Sequence, residues 1–244
     1  FLEGMRAKTL YVLFAYGLLI LFAAGALTPL AMGEQGRILK DLGLAGIEAM
    51  GTMLAIVIGT TLVHKEVDKR TIYVILSKPV ERYQFLAGKF LGMELLMAVL
   101  AAGMALIFVS GVLAMDRVFP IQLLLPIGLI FLKLSIINAL ALLFSSLASP
   151  ALGAVFTACL YLAGSLSRSI LQLADKLPSP AAKTLITVLY HLLPNLGNLD
   201  FKNQAVFGQS VPWPQVWWGI AYSVAYCLAV LSLTTVIFER RDAK

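Results

Sequence analysis

The sequence predicts an all-α, polytopic membrane protein with six transmembrane helices, folded as a single transmembrane domain over residues 1–244. Three observations predict it. Of the 244 residues, 60% are hydrophobic and only 13% are charged, about half the charged share of a soluble domain. Mean hydropathy is +0.89. The charges that exist are separated by long uncharged runs, each of helix-spanning length and none with the short alternating pattern of a barrel strand. So few charges could not cover a soluble protein of this size, and the apolar content excludes disorder. The formal net charge of +6 is unevenly placed, which reads as membrane orientation and not as nucleic-acid binding.

The spans follow in order. No charge falls between Lys8 and Glu34, which places span one at 9–32. Glu48 alone interrupts the run from Asp41 to His64, giving span two at 42–63. Glu94 alone interrupts the run from Lys89 to Asp116, giving span three at 91–115. Between Arg117 and Arg168 the only charge is Lys133. As one helix that stretch would be roughly 75 Å long against a hydrocarbon core of about 30 Å, so it must cross twice. The break belongs at Ser145-Ser146-Leu147-Ala148-Ser149-Pro150, where small polar residues and a proline cluster. Spans four and five are therefore 121–144 and 150–171, and the last apolar run gives span six at 217–238. Cys159 and Cys227 sit singly in apolar runs and read as buried thiols, not as a disulfide or a metal site. The chain opens on Phe1 and not on Met, so some N-terminal residues are expected to be missing or removed; the first apolar run is too long for a signal peptide and lacks a small-residue cleavage site.

Six spans put both termini on one side, and basic residues decide which. Arg6 and Lys8 precede span one, while Lys65, Lys69, Arg70, Lys78, Arg82 and Lys89 lie between spans two and three. Arg240, Arg241 and Lys244 close the chain, so this face holds eleven of the nineteen basic residues. The opposite face holds Arg37, Lys40, Arg117, Arg168, Lys176, Lys183 and Lys202, the last three in one long loop that counts for less. Both termini and the stretch 64–90 are expected in the cytoplasm.

Two connections are too long to be turns, the cytoplasmic 64–90 and the outer 172–216. In the outer one, Ala181, Ala182, Leu185, Ile186, Leu189, Tyr190 and Leu193 recur at helical spacing, a short amphipathic helix on the outer face ended by Pro194. Pro212, Trp213, Pro214, Trp217 and Trp218 mark the outer interface, where indole rings prefer the headgroup level. The cytoplasmic connection alternates charged and apolar blocks, so it can lie on the membrane and still present charge to a soluble partner. A solvated basic loop that only obeys the orientation rule is the competing reading. Nothing in the chain suggests catalysis. The Gly88-Lys89 pair lacks the upstream glycine of a phosphate-binding loop, since Tyr83 stands there, and Phe90 follows it. Neither His64 nor His191 has a ligand partner at helical spacing, so no metal site is expected.

The 64–90 stretch resembles the segment between the second and third spans of type 2 ABC exporter permeases. Glu66, Arg70, Thr71, Leu76, Ser77, Pro79, Val80, Arg82, Phe85, Gly88 and Lys89 carry the resemblance. Phe1, Glu3, Arg6, Lys8, Leu10 and Tyr11 look like that family's amphipathic helix leading into span one. Phe144-Ser145-Ser146 looks like the turn after span four, and Phe238-Glu239-Arg240-Arg241-Asp242 like the usual C-terminal ending. The subgroup most similar is that of the permease serving copper-site maturation of nitrous oxide reductase. The resemblance implies a non-enzymatic permease in the bacterial inner membrane, paired with a second copy as a homodimer and surrounded by lipid. It implies separate cytosolic ATPase subunits that hold the ATP and magnesium, with no cofactor in this chain. The coupling element would be 64–90, with Glu66, Arg70, Thr71, Ser77, Lys78, Pro79, Arg82, Gly88 and Lys89 as its contacts. A stand-alone secondary transporter or channel would instead show an inverted repeat and broken helices, neither of which is evident. A membrane scaffold that moves nothing is the other alternative.

Charges inside spans are costly and face protein or water. Lys133 lies roughly 18 Å from the outer end of span four, and Glu48 roughly 9 Å inside the outer end of span two. The Lys133 side chain leans outward toward the level of Glu48, so the two are expected to pair. The pair either locks two helices or contributes to a transport path. Glu94 is expected near the cytoplasmic interface, snorkelling or meeting Arg82 or Lys89. Gly51, Ala55 and Gly59 form a row of small residues that allows close helix contact, within the subunit or across a dimer.

Overall fold

Long apolar runs make helices here because a membrane offers backbone groups no other partners. The structure, a computed structural model, describes residues 15–20, 22, 35–68, 82–117, 119–167 and 193–241, and every regular element among them is helical. Residues 15–20 and 22 belong to the first apolar run. The labelled helices are α1 (Gln35–Asp68), α2 (Arg82–Asp116), α3 (Leu124–Leu147), α4 (Pro150–Ser165), α5 (Lys202–Val206) and α6 (Trp213–Arg241). Short 3-10 turns at Ile121–Leu123 and Leu196–Leu199 precede α3 and α5.

Four of these helices are long and apolar enough to cross a membrane among the described residues: Gly36–Thr61, Tyr83–Met115, Ile121–Leu147 and Trp213–Ile237. α4 is apolar but has only 16 residues, roughly 24 Å. The helices run past the expected span limits. α1 begins at Gln35 and continues to Asp68, and α2 starts at Arg82, so both ends of the stretch expected as a 64–90 loop are helical. The lead-in helix, the greater part of span one and the expected outer helix over 181–193, all but its last residue Leu193, lie outside the described residues.

α3 organises the bundle. Its apolar stretch is 67% buried within the protein, against 17% for that of α6. A helix apolar on all sides suits a central position. One face packs Ile130, Leu134 and Ile137 against Leu44, Ile47 and Ala55 of α1 and against Met97, Met104 and Phe108 of α2. The other packs Leu129, Ile136 and Leu140 against Val216, Cys227 and Val230 of α6 and against Leu196, Leu199 and Phe201. α1 and α3 run parallel, because a Cβ at Gly51 would meet Leu134 and one at Gly59 would meet Ala141. α4 runs against α1, since Gly153 faces Thr60 while Tyr161 reaches Glu48. One end of the bundle thus gathers Asp68, Arg82 and Leu147, and the opposite end gathers Gln35, Arg117 and Ser165.

The break between α3 and α4 falls within the expected window but later than the expected turn. Phe144, Ser145 and Ser146 are still helical, and Ser145 donates to the Thr60 carbonyl of α1 at 3.2 Å. The chain turns at extended Ala148 and Ser149, and Pro150 starts α4 in the first turn, where no amide donor is needed.

Candidate functional site

Residues 194–206 fold back under the end of α4 instead of forming a solvated loop. Gly164 permits this, because a side chain there would collide with the Pro194 carbonyl. Two further bonds fasten the segment. The Asn195 amide donates to the Tyr222 hydroxyl at 2.9 Å, and Ser167 donates to the Asn195 side-chain oxygen at 3.0 Å. Leu196, Leu199, Phe201, Ala205 and Val206 then bury against the bundle. Their burial carries Asp200 and Lys202 to the side of α1.

There the structure brings together Glu48 and Lys133, which are 5% and 2% exposed. Lys133 Nζ donates to Glu48 Oε1 at 2.9 Å, and Lys202 Nζ donates to Glu48 Oε2 at 2.6 Å. The Tyr161 hydroxyl stands 3.5 Å from Glu48 Oε1. Asp200 is farther off, 3.9 Å from Lys133 and 4.0 Å from Lys202. Burial works against the Lys202 ammonium, but the hydrogen bond and charge of Glu48, with the charge of Asp200, raise its pKa above the ordinary lysine value. These groups line a half-open cavity of about 290 Å³ whose wall also includes Ser165 and the small residues Ala45 and Ala49.

Glu48 and Lys133 meet at one depth because their helices run parallel from the same end. Glu48 is roughly 20 Å along α1 and Lys133 roughly 18 Å beyond Ile121. Lys202, Asp200 and Tyr161 were not anticipated as members of the site. Their one signal in the sequence is Asp200-Phe201-Lys202, opposite charges flanking a large apolar residue within the long outer connection.

Glu94 departs from expectation. It accepts from Ser135 Oγ at 2.8 Å and from Asn138 Nδ2 at 3.0 Å, both on α3, instead of meeting Arg82 or Lys89 near the cytoplasmic interface. The reason is the early start of α2: Glu94 lies roughly 18 Å along that helix, level with the middle of α3. Lys89 lies over the Phe85 ring at 5.4 Å, and Gly88 faces open space. The row Gly51, Ala55 and Gly59 faces α3 within the subunit. Arg70, Thr71, Ser77, Lys78 and Pro79 lie outside the described residues, as do Glu3, Arg6 and Lys8. Glu66 and Arg82 fall in the helical backbone at the facing ends of α1 and α2, with their side chains outside the description.

Cys227 is buried, but Cys159 is exposed on the flank of α4, contrary to expectation. No three His, Cys, Asp or Glu side chains gather as metal ligands among the described residues. The site is a buried set of paired charges with an opening, suited to holding a polar group.

A family model described as ABC-2 family transporter protein matches residues 9–243. The chain belongs to that family, which makes it a multi-pass membrane permease of an ABC transporter. A search of curated proteins finds no match.

Proposed function

We propose that this chain is the permease subunit of an ATP-driven exporter, moving substrate while separate cytosolic ATPase subunits bind ATP and magnesium and hydrolyse the nucleotide. The observation that carries this reading is the family match over 9–243. Two copies would pair in a bacterial inner membrane, each with six spans and cytoplasmic termini, in keeping with the basic residues gathered toward one face. The likeness to permeases of nitrous oxide reductase copper-site maturation nominates that subgroup for first comparison.

The coupling segment in this reading is 64–90, with Glu66, Arg70, Thr71, Ser77, Lys78, Pro79, Arg82, Gly88 and Lys89 toward the ATPase. The helix limits support it. α1 extends to Asp68 and α2 starts at Arg82, so a push on the intervening residues is delivered directly to two long helices. Both helices pack on α3, and α1 carries Glu48 of the cavity. Closure of the ATPases would thereby reach the charged site through rigid elements.

The test is co-purification with a co-expressed ABC ATPase subunit from the same organism, followed by ATP hydrolysis in vesicles. Arg70→Glu or Arg82→Glu should abolish association or permease-stimulated hydrolysis while the chain stays folded. Intact association and stimulated hydrolysis in both variants would remove the coupling role from this segment. A stand-alone transporter would move substrate without any ATPase.

A further inference from the structure

A lock between two helices needs one cation for one anion, and the Glu48 cavity holds more than that. Both oxygens of Glu48 are engaged, Oε1 by Lys133 and Tyr161 and Oε2 by Lys202. The two ammonium groups are only partly engaged. Each has three N–H donors and commits one at hydrogen-bond distance, to Glu48. Their next oxygens, both on Asp200, stand at 3.9 and 4.0 Å, too far for a good hydrogen bond. Neither ammonium has a further acceptor among the described residues, yet both line the cavity. Lys133 is buried and the Lys202 side chain only 21% exposed, so two cationic donors face one space, a wall suited to an oxygen-rich group.

Asp200 decides the charge of that group. With Asp200 in place, two lysines face two carboxylates and the wall is neutral. The Asp200 side chain is 43% exposed, and beyond the two distant ammonium groups its carboxylate is approached at 3.5 Å by the Lys202 backbone amide. It sits in the extended link between a 3-10 turn and α5, so it can turn to solvent without disturbing a helix. Once it turns away, one positive charge is uncovered between Lys133 and Lys202.

We propose that this cavity binds the singly negative oxyanion group of a small molecule on Lys133 and Lys202, and that Asp200 stands in for that group when the cavity is empty. Glu48 holds the two ammonium groups apart and oriented. The Tyr161 and Ser165 hydroxyls offer further polar contacts on the wall. The volume of about 290 Å³ lies at the small end of ligand pockets, suiting a compact molecule or a headgroup. A free small anion and the headgroup of an anionic lipid present the same chemistry. The inference rests on the permease reading for its meaning in transport, not for its binding chemistry.

The test uses the full chain in zwitterionic nanodiscs without any ATPase, titrated calorimetrically. One arm uses dimethyl phosphate and acetate, the other dihexanoyl phosphatidylglycerol with dihexanoylglycerol as the uncharged control. Saturable binding is expected in at least one anionic arm, and the tighter arm identifies the source. Lys202→Gln leaves the Glu48–Lys133 pair intact and should weaken binding roughly tenfold. Asp200→Asn, an exposed change with little bearing on folding, should tighten it several-fold by removing the competitor. Absence of saturable binding by every anionic probe overturns the proposal. So does binding that Asp200→Asn leaves unchanged or weakens, or that a folded Lys202→Gln leaves unchanged. These readouts do not involve the ATPase, so failure here leaves the permease reading standing, and failure of ATPase association leaves the anion site standing.

Discussion

Glu48 is the residue on which the charged cavity depends, because it alone contacts both lysines at short range. Glu48→Gln leaves the two ammonium groups only the more distant Asp200 as counter-charge and is expected to cost about 3–5 kcal/mol. Lys202→Gln leaves Glu48 its Lys133 partner and should cost about 1 kcal/mol, read from thermal unfolding in detergent. The pKa of Lys202 is raised in the folded protein, so its contribution is complete below the ordinary lysine value and lost as pH climbs through the raised one. The stability gap between the parent chain and Lys202→Gln should therefore hold steady from neutral pH to about 10 and close above the ordinary value of 10.5. Glu94 gives a contrast, since its two partners are uncharged. Glu94→Gln keeps one acceptor and adds donors beside the unpartnered Asn138 Oδ1, so its cost should stay near 1 kcal/mol. Glu94→Ala strands Ser135 and Asn138 and should cost about 2–3 kcal/mol. The Glu48–Lys133 pair could be read from sequence because both are lone charges at matching depths in neighbouring spans. Lys202 could not, because a charge in a long connection carries no depth until Gly164 and the buried Leu196 and Phe201 fix where that connection lies.

At the scale of elements, α1 and α3 are held by shape, since lipid supplies no hydrophobic drive between spans. A Cβ at Gly59 would overlap the Ala141 Cβ, an atom fixed to backbone, while one at Gly51 would meet only Leu134 methyl groups that can rotate. Gly59→Ala is expected to cost about 1–3 kcal/mol, Gly51→Ala less. Gly92 faces nothing within 4 Å, so Gly92→Ala should be neutral or stabilising by up to about 1 kcal/mol. Unfolding midpoints of the three variants check the order. The small-residue row was legible as a close contact, but its partner was not, because spacing says that helices approach and not which ones. The positions of the described spans were legible from gaps between charges. Their ends were not, because α1, α2 and α6 continue as helix through the polar residues at which charge counting stops. Glu94 was misplaced for that reason: with α2 beginning at Arg82, it sits deep in the bundle instead of near its edge.

For the molecule as a whole, α1 joins the stretch proposed for ATPase contact to the cavity at the other end of the bundle. Membership of the ABC-2 family makes it a transporter permease. In the mechanism proposed above, nucleotide events beneath the bundle change access to the charged cavity. Ser165 is exposed on the cavity wall and serves as a reporter that needs no knowledge of the substrate. In a Cys159→Ser background, which removes the exposed thiol, Ser165→Cys places one accessible thiol at the site beside buried Cys227. The decisive measurement is the rate at which a membrane-impermeant maleimide modifies that thiol in vesicles containing the permease and its ATPase. The account predicts a several-fold change in rate between the nucleotide-free complex and the complex trapped with ATP and vanadate. An identical rate in every nucleotide state, in vesicles that hydrolyse ATP, would contradict it.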